Sequence, residues 1–155
     1  MGKIFPFVSF VARSPRLYGF VEALIDTGSP FTVLSTVDAM KFHLPIKKMR
    51  KGKGVSLAGF HFFRYDLGKA SFSFKTTNNN HISFQIRNLG VLIPTTINKK
   101  ILNDVKPIPS IVGNDFLEEN NLALFFNPSQ KITYLEETVS VQKGKPQAMS
   151  IEQKR

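Results

Sequence analysis

The sequence predicts an all-β fold in a single domain. Two observations carry the prediction. Short apolar or alternating runs follow one another along the chain, as half-buried and buried strands do. Clusters of Gly, Pro, Asn and Ser separate them, and only two brief stretches have helical character. The 155 residues are enough for one core and short for two.

Taken in order, Ile4 to Val11 is a strand candidate, followed by a turn at Arg13-Ser14-Pro15-Arg16. Leu17 to Ile25 is a second strand, and Phe31 to Ser35 a third. Thr36 to Phe42 suits one or two helical turns with Ser35 or Thr36 as the cap, ended by Leu44-Pro45. Three glycines between Gly52 and Gly59, between a basic run and the apolar-rich Phe60 to Leu67, predict a mobile hairpin. Ala70 to Phe74 and Ile82 to Ile86 alternate across the turn Thr76 to Asn80 and form another hairpin. Val91 to Pro94 is a short apolar run, and Ile97 to Pro109 reads as a connecting loop. Ile111 to Gly113 is a strand, then Asp115 to Asn121 a short helix, with Asn114 as its cap and Glu118 three residues after Asp115. Leu122 to Phe126 and Lys131 to Leu135 flank the turn Asn127 to Gln130 and make a last hairpin. Residues 1–137 form the expected domain. Residues 138–155 lose apolar content and are expected to be a disordered basic tail.

The net charge of +10 is unevenly placed. Lys41, Lys47, Lys48, Arg50, Lys51 and Lys53 supply six positive charges, and the tail supplies three more, which leaves the body at +1. Such a loop can attract nucleic acid, acidic peptides or headgroups. A solvated, solubilising stretch is the preferred reading, and no basic motif interleaved with aromatics points to nucleic acid. Zero cysteines exclude disulfides and thiolate metal sites, and three scattered histidines lack ligand spacing, so no metal and no cofactor are expected. No apolar run approaches the roughly 18 residues of a membrane span. The first residues lack a signal-peptide layout. Both readings, with the missing cysteines, lead to an expected cytoplasmic location.

The chemically loaded stretch is Ala23-Leu24-Ile25-Asp26-Thr27-Gly28-Ser29. A carboxylate at the end of an apolar strand is costly to bury unless it is used. Gly28 permits a sharp turn that brings amides near it, and Thr27 and Ser29 add hydroxyls. Hydrophobic-hydrophobic-Asp-Thr-Gly-Ser resembles the active-site signature of aspartic proteases. With one copy in so short a chain, the sequence resembles a retropepsin, the single-lobe type, and within that type the cellular and prokaryotic proteins that read Gly-x-Asp-Phe-Leu, as Gly113 to Leu117 does here. Ile111-Val112-Gly113, about 85 residues downstream, matches the family segment beneath the aspartate loop. The resemblance spans roughly Ile4 to Leu135.

The resemblance implies a closed acid-protease barrel with one short C-terminal helix and a flap hairpin, assembled as a homodimer. Asp26, Thr27 and Gly28 would be catalytic. Ser29, the flap residues Gly54, Val55, Ser56, Leu57, Ala58 and Gly59, and Ile111 and Val112 would contact an extended polypeptide substrate. Phenylalanines with Leu24, Val33, Val91, Leu92 and Ile93 would supply apolar pockets. Asp38, Asp66, Asp104 and Asp115 lack the motif, so the second carboxylate must come from a second copy. A Ser29 hydroxyl donating to the pair would favour ionisation and an acidic activity optimum. Pro30 and Asn114 stand where viral members carry an ion pair, so Lys131 to Leu135 and the N-terminal strand become the candidate dimer elements. Asp115 is expected to cap a helix. The alternatives are a catalytically weak dimerisation or peptide-binding module and, resting on charge alone, a nucleic-acid-associated protein.

Overall fold

A computed structural model describes residues 5–138 and the backbone of 150–154. The strands are β1 (Phe7–Ser14), β2 (Leu17–Ile25), β3 (Val33–Leu34), β4 (Arg50–Leu57), β5 (Phe60–Lys75), β6 (His81–Pro94), β7 (Ser110–Val112), β8 (Leu122–Asn127), β9 (Ile132–Glu137) and β10 (Ser150–Lys154). The α-helices are α1 (Thr36–Lys41), α2 (Lys99–Asp104) and α3 (Asn114–Glu119).

Strands β1, β2, β7, β3, β6 and β5 are hydrogen-bonded in that order, and β5 pairs back onto β1 through Val11↔Ser73, Ala12↔Phe72 and Arg13↔Ser71. The ring is a closed six-stranded all-β barrel, which removes its edges. β4 hangs outside it on β5. Sequence alternation places the core: Val8, Phe10 and Ala12 of β1 point inward with Val21, Ala23 and Ile25 of β2. The many phenylalanines stack there. Phe10 lies 4.2 Å from Phe72, centroid to centroid, and Phe116 of α3 lies 5.1 Å from Phe72 and edge-on to Phe84 at 6.3 Å. Helix α3 is thereby packed against the barrel.

β5 and β6 are far longer than the separate short runs expected from the sequence, because two bulges let one strand serve both hairpin and barrel. The register shifts between Asp66 and Gly68 and again before Ala70, with Gly68 at φ +84°. The stretch expected to be a mobile, glycine-rich tip is mostly regular strand. Leu57 pairs with Phe60, so the turn is Ala58–Gly59 alone, both at positive φ (51° and 82°), the twist that suits a two-residue hairpin.

Two further expectations change. Ile97 to Pro109 is not only loop: Asn98 caps α2 by accepting the Ile101 N–H at 2.8 Å, while Val105 is buried and Ile101 packs half-buried against the same cluster. In the expected tail, Ser150–Lys154 form β10, antiparallel to β9 through Ile151↔Leu135. The rest of that tail, 139–149 and 155, lies outside the described residues. β9 consequently has both edges occupied, by β8 and β10, and is no free edge for a second copy. No helix among the described residues is long and apolar enough to cross a membrane.

Candidate active site

Asp26 closes β2 at the point where the strand lies parallel to β7, in register Ile25↔Val112. Its own N–H donates to the Val112 carbonyl (3.0 Å), and its carbonyl accepts the Ser29 N–H (3.0 Å). These two bonds fix the backbone on either side of the carboxylate. The Gly28 N–H then donates to Asp26 Oδ1 at 2.9 Å. The carboxylate is half-buried, while Thr27 and Gly28 are exposed at the apex. One oxygen is thus oriented by backbone and the side chain remains within reach of solvent or another chain.

The loop beyond the apex is tied down from the far end of the sequence. Asn114 N–H donates to the Ser29 carbonyl (2.7 Å), and Gly113 N–H donates to Thr32 Oγ1 (2.9 Å). Asp115 completes the brace. Its Oδ1 accepts the Thr32 hydroxyl (2.6 Å) and the Phe116 N–H (2.8 Å), and its Oδ2 accepts the Thr32 N–H (3.1 Å). Within its own helix Asp115 takes only the adjacent Phe116 N–H, from the first turn rather than the cap position, and the same carboxylate locks the aspartate loop to α3. Asn114, expected as the cap, instead donates to Glu118 Oε1 at 2.6 Å, and the N-cap position belongs to Gly113.

Hydrogen bonds to a carboxylate are stronger than neutral ones, and Thr32 is buried. Asp115→Ala is expected to lower unfolding stability by about 2–3 kcal/mol, because it strands the Thr32 N–H and hydroxyl. Urea denaturation measures it, and a change below about 0.5 kcal/mol would contradict the brace.

A second brace lies at the opposite end of β7. Ser110 Oγ donates to Asp38 Oδ2 at 2.5 Å and accepts the Ser35 N–H at 2.8 Å, joining β7 to the start of α1. Ser35 Oγ accepts the Asp38 N–H, as expected of the cap. With Asp38 and Asp115 so engaged, Asp66 paired with Arg50, and Asp104 exposed on α2, none of the other Asp residues joins Asp26.

Ser29 departs from the expected geometry. In the single chain its hydroxyl donates to the Phe31 carbonyl at 2.8 Å rather than to the carboxylate. The expected pocket residues separate by strand face. Val33, Leu92 and Ile111 form a small buried cluster with Phe62 and Val105, and Val55, Leu57 and Phe60 of the hairpin pack onto it. Val91 and Ile93 point the other way along β6 into the main core, where they cannot line a groove. Gly54, Ser56, Ala58 and Gly59 stay exposed on the hairpin.

Arg64 was not singled out by the sequence. It lies across Gly90, with its guanidinium 5.3 Å from the Phe31 ring centroid and Nη2 donating to the Asn88 carbonyl (2.8 Å), linking the hairpin arm to the aspartate loop. A cleft of about 700 Å³ lies elsewhere, on β1 and the β5–β6 turn. Its lining includes no carboxylate. Among the described residues, no group of three or more His, Asp or Glu side chains is arranged to hold a metal.

No protein-family model matches the chain, and no curated protein sequence matches it. Among solved structures it is similar to EIAV protease complexed with the inhibitor HBY-793, at 19% identity and a TM-score of 0.43, covering 79% of this chain and 93% of that one.

Proposed function

We propose that the chain is a homodimeric, retropepsin-like aspartic endopeptidase in which two Asp26 carboxylates, one from each copy, activate a water molecule. The observation that carries this reading is the Asp26 turn. A half-buried carboxylate takes a backbone N–H on one oxygen and sits on a loop braced by Val112, Asn114 and Asp115. Such preorganisation suits a group that reacts, and a loop serving only as a scaffold has no need of the acid.

One acid cannot do the chemistry alone. Two carboxylates about 3 Å apart cannot both ionise, so the pair holds one proton; aspartic proteases are the standard instance of this effect. The ionised member takes a proton from water as the oxygen attacks the scissile carbonyl. The protonated member hydrogen-bonds the carbonyl oxygen, and the leaving nitrogen is protonated in the collapse of the tetrahedral intermediate. The substrate would lie extended between the Asp26 turn and the β4–β5 hairpin, acting as a flap. The partner's contact would draw on the β8–β9 face, where Phe125 stacks on Tyr134 at 4.5 Å and remains 42% exposed.

A peptide library incubated from acid to alkaline pH, with and without a statine-type transition-state mimic, tests the proposal. Raising the pH removes the shared proton, and lowering it protonates both acids, so the rate is bell-shaped. Cleavage between bulky apolar residues and loss of activity on addition of the mimic are expected. A rate that does not fall on both sides of an optimum would count against the dyad.

A further inference from the structure

The basic loop of the sequence acquires two distant companions in the fold. A cleft of about 510 Å³ opens where the β1–β2 turn, the end of the 3-10 helix Ile46–Lys48 and the base of the β4–β5 hairpin meet. Arg16, Lys48, Arg50 and Lys69 line it, one cation from each of four segments. One carboxylate joins them. Asp66 takes the Gly68 N–H on Oδ1 (2.9 Å) and lies 3.6 Å from Arg50 Nη2, an ion pair whose arginine side chain is 85% exposed. Four cations against one acid leave three positive charges without a counter-ion in a single concavity.

The shape of this charge selects its ligand. An acidic peptide spaces its carboxylates along an extended backbone and is matched by a row of cations. Here the cations converge on one volume, which suits a compact anion carrying several charges and many acceptor oxygens. Arginine forks and lysine ammonium groups both bind phosphate oxygens well. No aromatic side chain lines the cleft, so it offers no stacking platform for a base. None of its lining residues belongs to the aspartate loop or the hairpin tip.

We infer that this cleft is a binding site for linked phosphates, as carried by an inorganic oligophosphate or by the phosphate chain of a nucleoside triphosphate. The inference is independent of the protease reading.

Calorimetric titration of the full chain at low salt with sodium tripolyphosphate, with adenosine triphosphate and with hexaglutamate tests it. Tripolyphosphate is expected to bind at least about tenfold more tightly than hexaglutamate. Adenosine triphosphate binding no better than tripolyphosphate identifies the phosphate chain as the whole ligand, and tighter binding identifies a nucleotide; either supports the site. Arg16→Glu with Lys69→Glu should weaken tripolyphosphate binding at least about tenfold. Lys99→Glu with Lys100→Glu, an equal change of charge on exposed α2, should weaken it less than about threefold. Should the first pair fail to fold, Lys69→Gln alone replaces it, with an expected loss of about threefold. Equal losses at both places, hexaglutamate binding as tightly as tripolyphosphate, or no binding at low salt would overturn the inference.

Discussion

Asp26→Asn is expected to abolish peptide cleavage, by at least about 10³-fold in kcat, while leaving fold and assembly intact. The amide retains an oxygen at the position where Gly28 N–H donates, so the turn keeps its bond (2.9 Å in the present chain). The backbone bonds from Asp26 to Val112 and from Ser29 to Asp26 do not involve the side chain. What would disappear is the carboxylate proposed to share the proton and to take one from water. Cleavage assays alongside sedimentation measure the two halves of the expectation. Substantial cleavage by the variant would place the chemistry elsewhere. Loss of folding would instead make Asp26 structural.

The second large effect concerns Gly113, whose φ of −95° any residue can adopt. The constraint there is contact, not conformation. A Cβ at this position would lie 2.4 Å from the Phe31 carbonyl oxygen and 2.8 Å from that of Ser29. Both are backbone atoms of the aspartate loop, so no side chain can swing aside. Relief requires the loop to lift from β7, which breaks the Asn114 N–H bond to Ser29 and disturbs the Thr32 bond. Gly113→Ala is therefore expected to cost about 3 kcal/mol or more and to remove activity with it. Urea denaturation and a cleavage assay read both consequences. A variant as stable and active as the parent would mean that the loop does not rest on this residue.

The parts of this molecule that are legible in the sequence are those with a local signature. Leu17–Ile25 is found to the residue because a β-branched, apolar run meets turn residues on both sides. The Asp26 turn is contiguous, and the Ser35 cap lies beside the helix it serves. The barrel's closure has no such mark: Val11↔Ser73 joins runs that look alike from either side. Asp115 and Thr32 are 83 residues apart, as Ser110 and Asp38 are 72, and only the fold brings each pair together. Helix α2 is as short as α1 and α3 but lies in a stretch of mixed polar and apolar residues, where the Asn98 cap is the one local sign of it. Val91 and Ile93 lie in the main core rather than in a pocket, and an apolar run does not reveal which of its faces looks inward. Arg16 and Lys69 joined the basic loop only when the strands were paired.

The proposed chemistry needs one carboxylate from each of two copies, and subunit mixing measures that directly. Wild-type chains are combined with Asp26→Asn chains in equal amounts, allowed to exchange, and assayed at fixed total concentration. If each active unit needs two Asp26 side chains, only pairs of wild-type chains cleave, and about one quarter of the activity remains. If a single chain suffices, activity follows the share of wild-type chains and about half remains, which would contradict the two-copy site.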